Sequence, residues 1–305
     1  FRESVLKIDQ GDVRRLGSTV VQQTMVSGIS AFLAGKIGCG NQVSSNSSAC
    51  STGTEAILMA FDRIQNGLAD RMLAGSCGDS GPYVWGGFDA MRVVPSGYND
   101  QPERASRPMA ESAAGFVPSS GAGALVLESL ESALKRKAYI HAEVLGGAVN
   151  CGGQRGRGSM TASNGKAVQR CITEALRNTG LKGEDIDVIN GHLTATSRDA
   201  EEVFNWSQAL GRSGADFPFI NTFKDVLGHG LSASGSMECV AALLQLEAGM
   251  VIGNRNAADL HPEISQLIEP SRVPLENKPA AAEIIAKISL GFGDVNACVI
   301  FKRYD

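Results

Sequence analysis

Short apolar runs alternate with longer segments of helical period along most of this 305-residue chain, and no other feature constrains its fold as strongly. "RMLAGSC" (71–77), "GALVLES" (123–129), "YIHAEVLGGAV" (139–149) and "DIDVIN" (185–190) read as short buried strands. Helical stretches lie between them. Ile57, Phe61, Ile64 and Leu68 recur at steps of four, three and four. Val168, Ile172 and Ala175 mark a helix stopped by "NTG", and "GSMECVAALLQLEAG" (235–249) predicts another. "AAEIIAKISL", a Gly-rich turn and "VNACVIFKR" close the chain as a strand hairpin. Strands separated by helices predict an α/β protein whose sheets are buried under helices. One internal echo stands out. "CSTGTEAILMAFDRIQNG" and "SASGSMECVAALLQLEAG" both run from small residues into an amphipathic helix and stop at Gly.

Composition narrows the function classes. Apolar residues make up 43% and charged residues 20%, and the formal charge of −4 leaves no global basic field for nucleic acid. No apolar run approaches the roughly 18 residues of a membrane span. "FRESVLKIDQGDVRRLG" is charged from its second residue, unlike a secretory signal peptide. The seven cysteines, 39, 50, 77, 151, 171, 239 and 298, are odd in number and irregularly spaced, with no CxxC. That usage suits a reducing, cytoplasmic setting with mostly buried thiols, and it offers no metal-binding motif.

Cys50 differs from the rest. It ends the run "SSNSSAC" where a helix begins, so the helix dipole and free backbone N–H groups favour a thiolate there. Ser44, Ser45, Ser47 and Ser48 suit a crowded site where backbone meets ligand. A buried spacer, a metal ligand and a nucleophile all remain open for Cys50 on these grounds. Of the four histidines, His141 and His261 read as structural or exposed. His192 ("NGHLTATSRDAEE") and His229 ("KDVLGHGLSASGSMEC") follow strand-like runs, where α/β proteins build sites. "SLGFGDVN" flanks Phe292 with glycines, which suits either a plain hairpin turn or a backbone N–H facing a reacting oxygen. "GDSGP" (78–82) is no serine-protease site, because no histidine precedes residue 141. "GGQRGRG" (152–158) fits neither GxGxxG nor a P-loop, and "KRK" (135–137) is a solvated helix end.

Taken in order, Cys50, His192, Lys224, His229, Glu238 and Phe292 match one pattern. With "FDAM…YNDQPERASRP" (88–108), "GFVPSSGAGALVLESLESALKRKAYIHAEVLG" and "GFGDVN", the chain resembles the β-ketoacyl-acyl carrier protein synthases over nearly its whole length. "TMVSGISAFLA" (24–34) leans towards the type I enzymes of that family. The resemblance implies a thiolase-like five-layer αβαβα sandwich of two duplicated halves, here residues 1–138 carrying the cysteine and 139–305 carrying the two histidines. It also implies an acyltransferase performing decarboxylative condensation of malonyl-acyl carrier protein with a Cys50-bound acyl group. His192 and His229 would stabilise the enolate, while Lys224 and Glu238 set local charge. The Cys50 and Phe292 N–H groups would form an oxyanion hole, and Thr194 and Thr196 would hold the phosphopantetheine arm. The implied partners are acyl carrier protein and a second subunit, in a homodimer or a ketosynthase-like heterodimer. No metal and no bound cofactor are implied.

The chain departs from the family pattern at several points. The usual His-Gly-Thr-Gly/Ser-Thr is His192-Leu193-Thr194-Ala195-Thr196, with one residue missing before Asp199. The terminal Gly-Phe-Gly-Gly is Gly291-Phe292-Gly293-Asp294, and Ala114 replaces an acidic residue. Family members also carry a first strand and further elements ahead of the region matching residue 1, so the amino-terminal half is expected to lack part of its sheet. Two rivals stand beside this reading. A thiolase would use a second cysteine near the terminal turn, where Cys298 is the nearest. A chain-length partner subunit would be expected to lack the nucleophile. Carrier proteins are acidic, so a local basic patch is expected, with Arg63, Arg71 and Arg92 as candidates.

Overall fold

The closing hairpin forms the middle of a sheet buried on both faces. In the computed structural model, which describes residues 2–304, β8 (Ile284–Gly291) pairs antiparallel with β9 (Val295–Arg303). Along β9, Cys298 and Ile300 enter one apolar core while Val299 and Phe301 enter another. Ile288 and Ile285 of β8 divide in the same way. This is the period-two alternation of a strand covered on both sides.

Two compact units make up the chain, residues 1–47 and residues 48–305. The first holds three helices, α1 (Arg2–Asp9), α2 (Val20–Thr24) and α3 (Gly28–Ile37). Gly38 ends α3 with φ +71, a left-handed cap that glycine adopts without steric cost.

The second unit carries α4 (Thr52–Gln65), β1 (Arg71–Gly78), α5 (Pro82–Ala90), β2 (Gly121–Glu128) and α6 (Leu130–Lys135). Then come β3 (Ala142–Cys151), α7 (Gly165–Thr179), β4 (Val188–Asn190), α8 (Asp199–Leu210), β5 (Phe219–Asn221) and α9 (Lys224–Leu227). α10 (Ser234–Ala248), β6 (Met250–Val251), α11 (Pro262–Leu267) and β7 (Lys278–Pro279) precede the hairpin. The main sheet has the order β3-β9-β8-β4-β5, and β1 pairs antiparallel with β2 in a separate two-stranded sheet. Most of the expected strands and helices form where the apolar pattern places them. Strand bounds shift at several places, most plainly in the third and fourth strands. The third begins at Ala142, so His141 lies just outside it, and the fourth is confined to 188–190 because a 3-10 turn at Gly183–Asp185 takes up the start of "DIDVIN".

The two cores define the layering. On one face of the main sheet, α7 and α8 bury Val168, Ile172, Val203 and Trp206 against Ile189, Ile288 and Ile300. On the other, Ile57 and Leu58 of α4 and Cys239 and Leu246 of α10 pack on Val188, Ile285, Val299 and Phe301. That second core also takes in Ala74 of β1 and Leu127 of β2. The order is therefore helix, five-stranded sheet, helix, two-stranded sheet, consecutive layers of the αβαβα sandwich.

The sequence echo is a symmetry element. A 3-10 turn at Ala49–Ser51 runs into α4, and one at Leu231–Ala233 runs into α10. Their first residues, Ala49 and Leu231, take φ +49 and +53. The helices cross where each has a glycine. A Cβ on Gly53 would collide with the Ser236 backbone N, and one on Gly235 would come within 2.6 Å of the Thr54 N. Gly53 aligns with Gly235 and Thr54 with Ser236, so the contact is reciprocal, as a pseudo-twofold axis requires.

Candidate active site

Three parallel strand ends gather the site. β4 runs parallel to both β5 and β8, so their carboxyl ends open on one edge of the sheet. His192 follows β4, Lys224 and His229 follow β5, and Phe292 sits in the turn after β8. Loops at such an edge are free to converge on a ligand. α4 brings its amino terminus to the same place. Ser51 Oγ donates to the carbonyls of Ser289 and Val295, 3.1 Å each, which binds the Cys50 turn to the β8–β9 hairpin.

Cys50 is buried, and three donors face its sulfur. His229 Nε2 lies 3.2 Å away, and the backbone N–H groups of Phe292 and of Cys50 itself are directed at it. His229 Nδ1 accepts the Leu231 N–H at 3.3 Å and lies 2.8 Å from Ser234 Oγ. A backbone N–H cannot accept, so this network assigns the lone pair to Nδ1 and the ring proton to Nε2, facing the sulfur. The helix start does not make Cys50 a resting thiolate, contrary to the sequence expectation. Burial pushes its pKa up to about 11, opposed by Lys224 and by the two backbone donors. Burial dominates because the thiol sits inside the protein and not at an exposed helix end.

His192 meets His229 edge to face, ring centroids 5.3 Å apart, and Phe116 packs edge-on against His229 at 5.0 Å. Burial, reinforced by Lys224 and Lys287, holds both imidazoles well below their ordinary pKa, so both are neutral at pH 7. Lys224, with its own pKa lowered by burial, forms an ion pair with Glu238 Oε1, and Lys287 lies 2.6 Å from Glu238 Oε2. Lys287, fully buried on β8, is a site residue the sequence reading missed. The clue was a lysine inside the otherwise apolar run "EIIAKISL".

The loop after His192 is gripped by two buried carboxylates, also missed. Glu202 accepts the backbone N–H groups of His192 (2.6 Å) and Leu193 (2.8 Å). Asp199 accepts those of Thr194, Ala195 and Met109. Burial raises Asp199 to about 6 and Glu202 to about 7. Leu193 and Ala195 stand at φ +26 and +60, the left-handed region that their family glycines enter without strain. The carboxylate grip holds the loop in that conformation.

A cavity of about 580 Å³ opens onto the sulfur. Phe88, Met91, Val93, Phe116 and Leu290 supply its apolar lining, and Thr194, Thr196, Ser163 and Ser197 supply hydroxyls. The Thr194 and Thr196 hydroxyls are 3.2 Å apart. Of the three basic candidates, Arg92 stands between the lining residues Met91 and Val93. Arg71 pairs with Glu128 at 3.6 Å, and Arg63 lies in the last turn of α4, at the end away from Cys50. Among the described residues, Cys50, His192 and His229 are also the group that could hold a metal, with ligand atoms within 4.8 Å of one another. A ligating imidazole is normally oriented by an acceptor on its other nitrogen, and His192 Nδ1 has no partner.

Comparison with known proteins converges on one family. Residues 2–133 match the β-ketoacyl synthase N-terminal domain and residues 141–258 its C-terminal domain. The chain is 34% identical over 312 residues to 3-oxoacyl-acyl-carrier-protein synthase I, chloroplastic, of Arabidopsis thaliana, covering 100% of this chain and 63% of that protein. It is 32% identical over 293 residues to 3-oxoacyl-acyl-carrier-protein synthase 1 of Escherichia coli K12, covering 95% and 68%. A β-ketoacyl synthase structure from Burkholderia phymatum superposes with a TM-score of 0.91 at 26% identity, covering 100% of this chain and 72% of that one. A type II polyketide ketosynthase in complex with its acyl-carrier protein gives 0.88 at 26%, covering 100% and 74%. The chain thus spans just under two thirds of the length of the Arabidopsis relative.

Proposed function

This chain belongs to the β-ketoacyl synthase family, and from that premise we propose that it performs a decarboxylative condensation on acyl-carrier-protein thioesters. The observation that carries the proposal is the Cys50 sulfur, 3.2 Å from His229 Nε2 and faced by the backbone N–H groups of Phe292 and Cys50. In the first half-reaction the Cys50 thiol attacks an acyl thioester carbonyl. The Phe292 and Cys50 N–H groups receive the oxyanion, the carbon–sulfur bond to pantetheine breaks, and the thiol proton leaves on the departing pantetheine sulfur. The thiolate is the attacking form, so the Cys50 proton must leave Sγ as the carbonyl is attacked, and it ends on the departing pantetheine sulfur.

In the second half-reaction the malonyl carboxylate leaves as CO₂ and its electron pair becomes an enolate. The neutral rings of His192 and His229 donate N–H groups to the enolate oxygen. The enolate carbon attacks the acyl group on Cys50, and the sulfur departs as a thiolate. The thiolate then takes a proton from solvent, a step that its burial favours. Burial, with Lys224 and Lys287, keeps both imidazoles neutral, and Glu238 pairs with the two lysines. Thr194 and Thr196 hydrogen-bond the pantetheine arm, and Arg92 faces the acidic carrier. We read the chain as two thiolase-like halves, 1–138 and 139–305, acting in a homo- or heterodimer in the cytoplasm, with no metal or bound cofactor in the reaction. Among the described residues no helix is long and apolar enough to cross a membrane.

The rivals fit less well. Cys298 is fully buried in β9, in a core and away from the cavity, so it does not supply a thiolase's second cysteine. A chain-length partner subunit has no need of the three donors around Cys50. The test is incubation with acyl-acyl carrier proteins of graded chain length, followed by mass spectrometry and then addition of malonyl-acyl carrier protein. We expect an acyl adduct on Cys50 that is consumed when malonyl substrate arrives, and none on Cys50→Ser. A wild-type protein that never acylates while still binding its partners would overturn the reading in favour of the partner subunit.

A further inference from the structure

We propose that Asp294 is a positioning residue for acyl transfer: its buried carboxylate fastens the Gly291–Asp294 turn to the 151–164 loop and so keeps the Phe292 N–H aimed at the Cys50 sulfur. The inference rests on the condensing function proposed above and concerns a residue at which this chain departs from the family's glycine.

Asp294 is fully buried and stands at φ +63, a conformation costing an ordinary residue about 1 kcal/mol or more. The chain tolerates it because the carboxylate is received on two sides. Oδ1 accepts the Asn164 N–H at 2.8 Å and Oδ2 the Gln154 N–H at 2.9 Å. Two backbone bonds cross the same seam. The Gly152 N–H donates to the Asp294 carbonyl at 2.9 Å, and the Gly293 N–H to the Met160 carbonyl at 2.8 Å. The glycines of "GGQRGRG" are what let the loop close around the acid. A Cβ on Gly152 would collide with the carboxylate, and one on Gly158 would come within 2.6 Å of Oδ2. This glycine-rich segment therefore closes around a side chain of its own protein. The far end of the tie is rigid. Asn164 caps the 15-residue α7, its side chain accepting the Lys166 N–H at 3.0 Å.

Phe292 lies two residues before Asp294, between Gly291 and Gly293. A turn with two glycines has many conformations, and only one aims the Phe292 N–H at the sulfur. A misplacement of about 1 Å at a reacting centre costs on the order of a hundredfold in rate. The carboxylate removes that freedom without touching substrate.

The test uses Asp294→Asn, which keeps the shape but turns one acceptor into a donor facing an N–H, and Asp294→Gly, which suits φ +63 and removes the tie. Thermal unfolding establishes that each variant folds. Three quantities are then measured on the full-length protein. These are single-turnover acylation of Cys50 from acyl-acyl carrier protein, decarboxylation of malonyl-acyl carrier protein, and amide hydrogen exchange across 152–164. Acylation is expected to fall about ten- to a hundredfold, as for a displaced reacting group. Decarboxylation, which draws on His192 and His229, should stay within about threefold of wild type. Exchange at Gln154 and Asn164 should quicken. Wild-type acylation in both variants overturns the proposal, and so does an equal loss in both half-reactions, which marks a merely structural role. A wild-type protein that forms no Cys50 adduct instead overturns the condensing function, and the acyl-transfer role of Asp294 with it.

Discussion

At the scale of single residues, the chemistry depends on side chains held in charge states that water would not favour. Two buried lysines share one buried glutamate, and both lie close enough to His192 and His229 to depress them. Lys287 is the one that sequence reasoning passed over, because in a strand a single lysine looks like a solvent-facing position. Its removal separates electrostatics from architecture. Lys287→Met leaves Lys224 and Glu238 as a matched pair and fills similar volume with apolar atoms, so no buried charge is left uncompensated. The melting temperature should therefore hold or rise. The imidazole pKa values should rise with one depressing cation gone, so the neutral rings are lost at a higher pH. The acid limb of the pH profile for malonyl decarboxylation should move upward. An unmoved acid limb would show that Lys287 does not tune the histidines.

At the scale of elements, α4 and α10 cross at glycines on a pseudo-twofold axis, and the site is built outward from that crossing. The sequence held the evidence as the paired runs "STGT" and "ASGS" before two amphipathic helices. It did not show that the two glycines face each other's backbone, because periodicity reports which face is apolar and not what packs on it. Gly53→Ala drives a methyl into the Ser236 backbone, an atom that cannot swing aside. Overpacking of this kind costs about 1–3 kcal/mol. The variant should unfold at lower denaturant with unchanged slope, and Cys50, three residues upstream, should acylate more slowly. The reciprocal Gly235→Ala should show a similar stability loss. If either substitution leaves the unfolding midpoint in place, the helices do not meet as closely as described. Short elements were the least legible. β4 and β5 have three residues each, and what identifies them is their parallel pairing with each other and that of β4 with β8, a non-local fact.

At the scale of the molecule, the α/β class was legible because apolar runs and helical periods alternate in plain sight, while the layered sandwich and the places of Cys50, His192 and His229 came with the family resemblance. The titration state of the site was not legible, since burial depends on all the layers at once. That burial couples the loop after His192 to global stability through two opposing effects. His192 and His229 are depressed in the folded state, so the unfolded chain binds more protons as the pH drops below about 6.5, and acid disfavours folding. Asp199 and Glu202 are raised to about 6 and about 7, so the folded state retains protons that the unfolded chain releases. Their contribution is present in acid and fades as the pH climbs towards 7. Between pH 7 and 5 the two effects offset each other, and the wild-type stability profile should be shallow. Glu202→Gln deletes one side of the balance. Its amide keeps one acceptor for the His192–Leu193 backbone and cannot ionise. The variant should then lose stability more steeply than wild type on acidification from pH 7 to pH 5, by about 2 kcal/mol, since one titrating proton changes stability by at most about 1.4 kcal/mol per pH unit. Urea titrations of both proteins across that range measure the difference directly. Parallel profiles would mean that Glu202 is ionised in the folded protein at pH 5, with its two backbone donors outweighing its burial.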